Sequence, residues 1–115
     1  NMKDRLWDDM LDRLENKYGE VNIKNRQESR SDDMGNKIIS EISYVEFEIP
    51  EGKLRVEKWV TPMIIDKKTY YSNSSANHTT VEYITSDTEK TSKIKVFKLD
   101  QDNDEWLEIN GSTLI

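Results

Sequence analysis

Between residues 3 and 19, KDRLWDDMLDRLENKYG, apolar side chains recur at spacings of three and four: Leu6, Trp7, Met10, Leu11, Leu14 and Tyr18. On a helix these fall along one stripe, with Asp4, Asp8, Asp9, Asp12 and Arg13 on the opposite side. Asp4 stands where a start cap would, and Gly19 suits the left-handed residue beyond the last turn. The pattern predicts an amphipathic helix packed on the rest of the protein. Its acidic polar face argues against a helix lying on a membrane surface.

Residues 20–36 are polar and nearly aperiodic apart from a brief alternation at Val21 and Ile23, and they read as an exposed connection. From residue 37 the period changes to two. Val45, Phe47 and Ile49 alternate with Glu46 and Glu48, while Ile38, Ile42 and Tyr44 upstream occupy the other parity. A change of parity within one strand predicts a β-bulge. Pro50-Glu51-Gly52 reads as a turn, after which Leu54 and Val56 resume the alternation, so a β-hairpin is predicted here.

The second strand of that hairpin runs on to Pro62, where a missing N–H predicts a bend, a bulge or an edge. Met63, Ile64 and Ile65 are expected to re-enter the core. Residues 66–78 read as a polar connection, 79–85 as a strand and 86–92 as a loop. Two further strands are predicted at 93–99 and 105–109. The whole is a single α+β domain over residues 1–115: an N-terminal helix at 3–19, a polar connection at 20–36, and a mostly antiparallel meander of about five strands at 37–115. Sequential strands joined by short turns pair as neighbours, and the helix covers one face. A strongly curled version would be barrel-like.

Composition supports this. One Ala stands against eleven Ile, six Val and eight Thr, a balance that suits pleated sheet better than helix. Hydrophobic residues are 34% and charged residues 35% of the chain, so the core is lean. Three Trp, five Tyr and two Phe supply its large anchors.

The net charge of −6 is concentrated at the carboxyl end, where residues 99–115 hold five acids and no base. An acidic chain repels polyphosphate at long range, so nucleic acid is not the favoured partner. Cysteine is absent. That removes disulfides, thiol catalysis and cysteine-ligated metals, and points to a cytoplasmic setting. No apolar run approaches the ~20 residues that cross a bilayer, so no membrane association is expected.

Three places could carry chemistry. Asp100, Asp102 and Asp104 match the opening of a calcium loop, but Glu105 stands where the sharp turn needs glycine, and Gly111 where the bidentate glutamate belongs. An acidic hairpin turn is the expectation, with these aspartates a weak candidate for a cation. His78 is the single histidine, and the hydroxyls near it lie in no nucleophile motif, so no catalytic residue and no cofactor is expected. Asn73, Asn77 and Asn110 head glycosylation-type triplets that a chain rich in Asn and hydroxyls contains by chance.

The third place is residues 53–71, where Arg55, Lys58, Lys67 and Lys68 interleave with Trp59, Tyr70 and Tyr71. Cations among aromatic platforms suit single-stranded nucleic acid, although Glu51, Glu57 and Asp66 nearly halve the charge of that stretch. The expected role is a non-catalytic, protein-binding accessory domain of the inhibitor or immunity type. A nucleic-acid module using residues 53–71 is the alternative, and a weak cation-binding domain at 100–104 the third reading. Self-association through an exposed sheet edge is compatible with the same pattern.

Overall fold

The computed structural model describes residues 2–71 and 78–109, with side chains from residue 4. The chain order is α1 (Met2–Tyr18), β1 (Lys24–Ser31), β2 (Lys37–Ile49), β3 (Gly52–Tyr71), β4 (Thr79–Asp100) and β5 (Glu105–Ile109). The strands pair in sequence order, each antiparallel to the next, and the sheet stays open with β1 and β5 at its edges. This is the α+β architecture expected from the period change at residue 37.

The stripe of α1 meets the sheet where the alternation places apolar residues opposite one another. Trp7, Met10, Leu11 and Leu14 pack on Val45 and Phe47 of β2, Leu54 and Val56 of β3, and Val96 of β4. The Tyr18 ring stacks on Phe47 with centroids 5.1 Å apart. Each such burial contributes about 1.5–3 kcal/mol, and docking of this kind, more than propensity, holds a helix in place. Gly19 ends it with φ of 93°, donating its N–H to the Glu15 carbonyl at 2.9 Å.

Two details of the predicted helix change. Leu6 is 53% exposed and lies outside the stripe, which turns on Trp7 instead. Asp4 sits within the first turn, and its carboxylate pairs with the Lys58 ammonium across the helix–sheet junction. That hydrogen bond and the charge behind it hold the Asp4 carboxyl below its ordinary range.

The strands depart further from expectation. Residues 24–31, read as connection, form β1. KNRQESRS contains no apolar residue, and the strand is held by its ladder to β2 and by polar side-chain bonds such as Ser43 Oγ to Asn25 Oδ1 at 2.9 Å. A polar edge strand of this kind needs no apolar code and resists unwanted pairing. The parity change in β2 is not a bulge, because its register runs unbroken against β1 and β3. Val45 and Phe47 face the helix, whereas Ile38 and Ile42 are buried on the opposite face.

The expected interruption at Pro62 is present: the β3–β4 register shifts on both sides of Ile64. Residues 86–89 of β4 stand opposite Met63 alone, with the Ser86 hydroxyl accepting the N–H groups of Thr88 and Glu89. Beyond the bulge, 66–71 and 79–85 continue as a paired ribbon, so 66–71 is strand where connection was expected. Ile64 and Ile65 are exposed and do not re-enter the helix-side core.

The β1–β2 turn bends the sheet around its helix-free face. Asp33 N–H donates to the Val81 carbonyl at 3.0 Å, and Asp33 Oδ2 accepts the Val81 N–H at 2.7 Å. Asp32 Oδ2 accepts the Tyr83 N–H at 2.9 Å, and Asp32 Oδ1 takes the Met34 and Asn36 N–H groups at 2.9 Å. A turn at one end of the sheet is thus tied to the fourth strand, which makes the face between them concave.

Partial burial of the Asp32 carboxyl opposes ionisation, but the Tyr83, Asn36 and Met34 donors outweigh it and lower its pKa from the ordinary 3.8. A carboxyl lowered in the folded state stabilises it above the unfolded value, and that contribution is lost as pH falls through the folded value. Asp32→Ala is therefore expected to raise amide exchange at Val81 and Tyr83 at neutral pH while leaving Val45 and Val56 protected. Acidification of the wild type should reproduce that local pattern. Uniform loss of protection across the sheet would contradict a local tie.

Candidate binding face

Alternation along β3 sends Leu54, Val56 and Lys58 to the helix and Arg55, Glu57 and Trp59 to the other side. On that helix-free side Glu57 is 1% exposed although, among the described residues, no helix packs over it. Its cover is made of side chains. Arg26, reaching across β2 from the edge strand, donates to both carboxylate oxygens at 2.6 and 3.2 Å. The Trp59 indole N–H donates to Oε1 at 2.8 Å, and an Arg55 nitrogen lies 3.7 Å from Oε2.

Arg55 also binds Glu46, through Nε at 3.1 Å and Nη2 at 2.7 Å. Burial works against the charge on Glu46, yet the Arg55 bonds prevail, with Lys53 nearby at 3.7 Å, and its pKa lies below the usual range. Aromatic rings fill the spaces between these ions. The Arg55 guanidinium stands 4.3 Å from the Trp106 ring centre and 5.0 Å from that of Tyr44. Arg26 stands 5.3 Å from Tyr44, and the Lys95 ammonium lies 4.0 Å over Trp59. These are cation–π distances, and the network ties β1, β2, β3, β4 and β5 together.

Beside this network the curl of the sheet leaves a groove of ≈ 450 Å³. Its floor is the Trp59 side chain with Pro62, Met63 and Ile64, brought together by the register shifts after Pro62. Ser40, Thr61 and Thr91 supply hydroxyls, the first two bonded to each other at 2.7 Å. Arg30, Lys93 and Lys95 supply positive charge, and among the described residues no carboxylate lines the groove.

The sequence-predicted surface at 53–71 is therefore not one surface. Arg55 and Trp59 belong to the ion–aromatic network, and Lys58 points to the helix, where it pairs with Asp4. Lys67, Lys68, Tyr70 and Tyr71 lie out on the β3–β4 ribbon. Their strand positions alternate between its two faces, with Tyr70 O–H donating to Glu82 at 3.1 Å. Trp59, Tyr70 and Tyr71 do not form a common platform. Arg26, Arg30 and Tyr83 were missed because they come from β1 and from the register of β4. The only signal for them in the sequence was the extension of the alternation beyond its apolar members.

In the acidic turn, Asp100 accepts the Asp102 N–H at 3.1 Å and the Asn103 side-chain amide at 2.8 Å, and Asp104 takes φ of 53°. These are the bonds of a turn that closes itself. Among the described residues no three acidic or histidine side chains are placed to hold a metal ion. His78 is exposed just before β4, while Asn73, Asn77 and Asn110 lie outside the described residues. No described helix is long and apolar enough to cross a membrane. No protein-family model, curated protein or solved structure matches the chain.

Proposed function

We propose that this is a non-catalytic protein-binding domain that receives its partner on the concave, helix-free face of the sheet. One observation carries the reading: in a chain of net charge −6, the groove on that face gathers cations, hydroxyls and an apolar floor with no carboxylate among the described residues that line it. Three cations gathered beside an apolar floor form a surface that attracts an anionic partner. The chemistry of the residues supports binding rather than turnover, since the groove holds neither a general base nor an activated nucleophile. The absence of cysteine fits a reducing compartment such as the cytoplasm.

A nucleic-acid partner is the weaker reading. Bases stack on free aromatic faces, whereas Trp59 already carries Lys95 and Trp106 already carries Arg55.

The test is steric. Thr91 lines the groove and is exposed, so Thr91→Trp obstructs it, while Asp12→Trp adds the same bulk on the outer face of α1. Immobilised wild type and the Asp12 variant are expected to retain the same proteins from a host extract, and the Thr91 variant to lose them. Three identical profiles would remove the helix-free face from the proposal. A labelled single-stranded oligonucleotide is expected to bind weakly or not at all at low salt; tight, steeply salt-dependent binding would hand the face to nucleic acid.

A further inference from the structure

Resting on that reading, we infer that the groove takes an extended acidic segment of the partner polypeptide, one apolar side chain seated on its floor and flanking carboxylates facing Lys93 and Arg30. The cations on this face fall into two groups. Arg26, Lys53 and Arg55 each have a carboxylate partner within the chain. Among the described residues the three cations of the groove have none. Arg30 and Lys95 rest on the rings of Tyr83 and Trp59, and Lys93 has no ion-pair partner among the described residues. Ion pairs within the chain thus hold Arg26, Lys53 and Arg55, and among the described residues none reaches the cations of the groove.

The carboxylate that could have entered is held away. Glu57 lies two residues before Trp59 on the same face of β3, yet both of its oxygens are occupied by Arg26 and the Trp59 indole. Trp59 is thereby oriented with its N–H inward, while Lys95 stands 4.0 Å over its ring at the groove. Opposite charges attract across such a groove, and salt screens the attraction because Arg30 and Lys93 are exposed. A volume of ≈ 450 Å³ falls in the range of about 300–1,000 Å³ typical of ligand sites. An inorganic anion would leave Pro62, Met63 and Ile64 uncovered, and a basic or neutral peptide would leave the cations unpaired. An acidic segment with one apolar residue satisfies both halves of the groove.

The probe is a short synthetic peptide of Asp and Glu around a single Phe, with its Asn/Gln counterpart, inorganic phosphate and a single-stranded oligonucleotide as comparisons. The acidic peptide is expected to bind the wild type and to shift the amide signals of Lys93 and Lys95 and the Trp59 indole signal. Its affinity should fall about tenfold or more in Lys93→Glu, as expected when a like charge replaces an opposite one. Lys93 is exposed, so circular dichroism should show that variant folded. Equal binding of the Asn/Gln peptide, shifts confined to the helix side, or tighter binding of phosphate or oligonucleotide would overturn the inference. If the Thr91 block abolishes capture from extract while the acidic peptide fails to bind, the protein-binding face survives and the acidic occupant falls.

Discussion

Replacing Glu57 by alanine is expected to destabilise the fold by about 3–5 kcal/mol, the range for breaking a buried ion pair by removing one partner. The change is severe because it strands more than one donor. Arg26 loses the acceptor of both its bonds across β2, the Trp59 indole N–H loses its partner at 2.8 Å, and Arg55 is left with Glu46 alone. The edge strand should respond first. β1 has no apolar residue, and Arg26 is its firmest side-chain tie to the centre of the sheet. Urea unfolding would measure the global loss, and amide exchange along Lys24–Ser31 its local origin.

Two further variants separate the electrostatic account from simple loss of volume. Glu57→Gln preserves size and still offers the Trp59 indole an acceptor, but leaves the guanidinium of Arg26 with only the exposed Glu28, at 3.2 Å, as counter-charge. It is expected to be nearly as harmful as alanine. The pair Arg26→Met with Glu57→Leu removes both charges together and should recover a large part of the loss, because apolar replacement of a whole buried pair is often neutral or stabilising. If the double variant proves as unstable as the two single changes added together, the pair is not coupled and the account fails.

The parts of this fold that could be read from the sequence are those where burial is one-sided. The stripe of α1 and the Val45–Phe47 and Leu54–Val56 alternations report directly on the helix-side core, because each apolar residue there has a polar neighbour facing away. β2 was misread where burial is two-sided. Ile38 and Ile42 are covered on the face that also carries Arg26 and Trp59, so their parity reports the second buried face and not a bulge. β1 was invisible because its stability lies in main-chain pairing and in Arg26, neither of which leaves a hydrophobic period.

The same reasoning explains what was legible of the candidate site. Trp59 and Arg55 stood out as an aromatic residue among cations, but proximity in sequence also drew in Lys58, Tyr70 and Tyr71. In a strand, adjacent residues point to opposite faces, and the irregular register after Pro62 further separates the two ends of the segment. What assembles the groove is pairing between distant strands: Arg30 and Ser40 come from β1 and β2, and Thr91, Lys93 and Lys95 from β4. No local window contains that information.

The second large effect belongs to the helix. Trp7→Ala is expected to cost about 3–5 kcal/mol, whereas Leu6→Ala, one residue away, should cost less than about 0.5 kcal/mol. The contrast follows from rotation alone: Trp7 is 5% exposed within the core cluster, and Leu6 is 53% exposed. Urea midpoints at unchanged slope would measure both. Comparable losses at the two positions would mean that the stripe is turned by most of a residue, which would also misplace Asp4 relative to Lys58. Because Trp7 packs on the side of β2, β3 and β4 away from the groove, its loss should lower stability without changing the affinity of the folded protein for the acidic peptide. Lys93→Glu should do the reverse. The two measurements together separate the face that holds the sheet from the face that the sheet holds open.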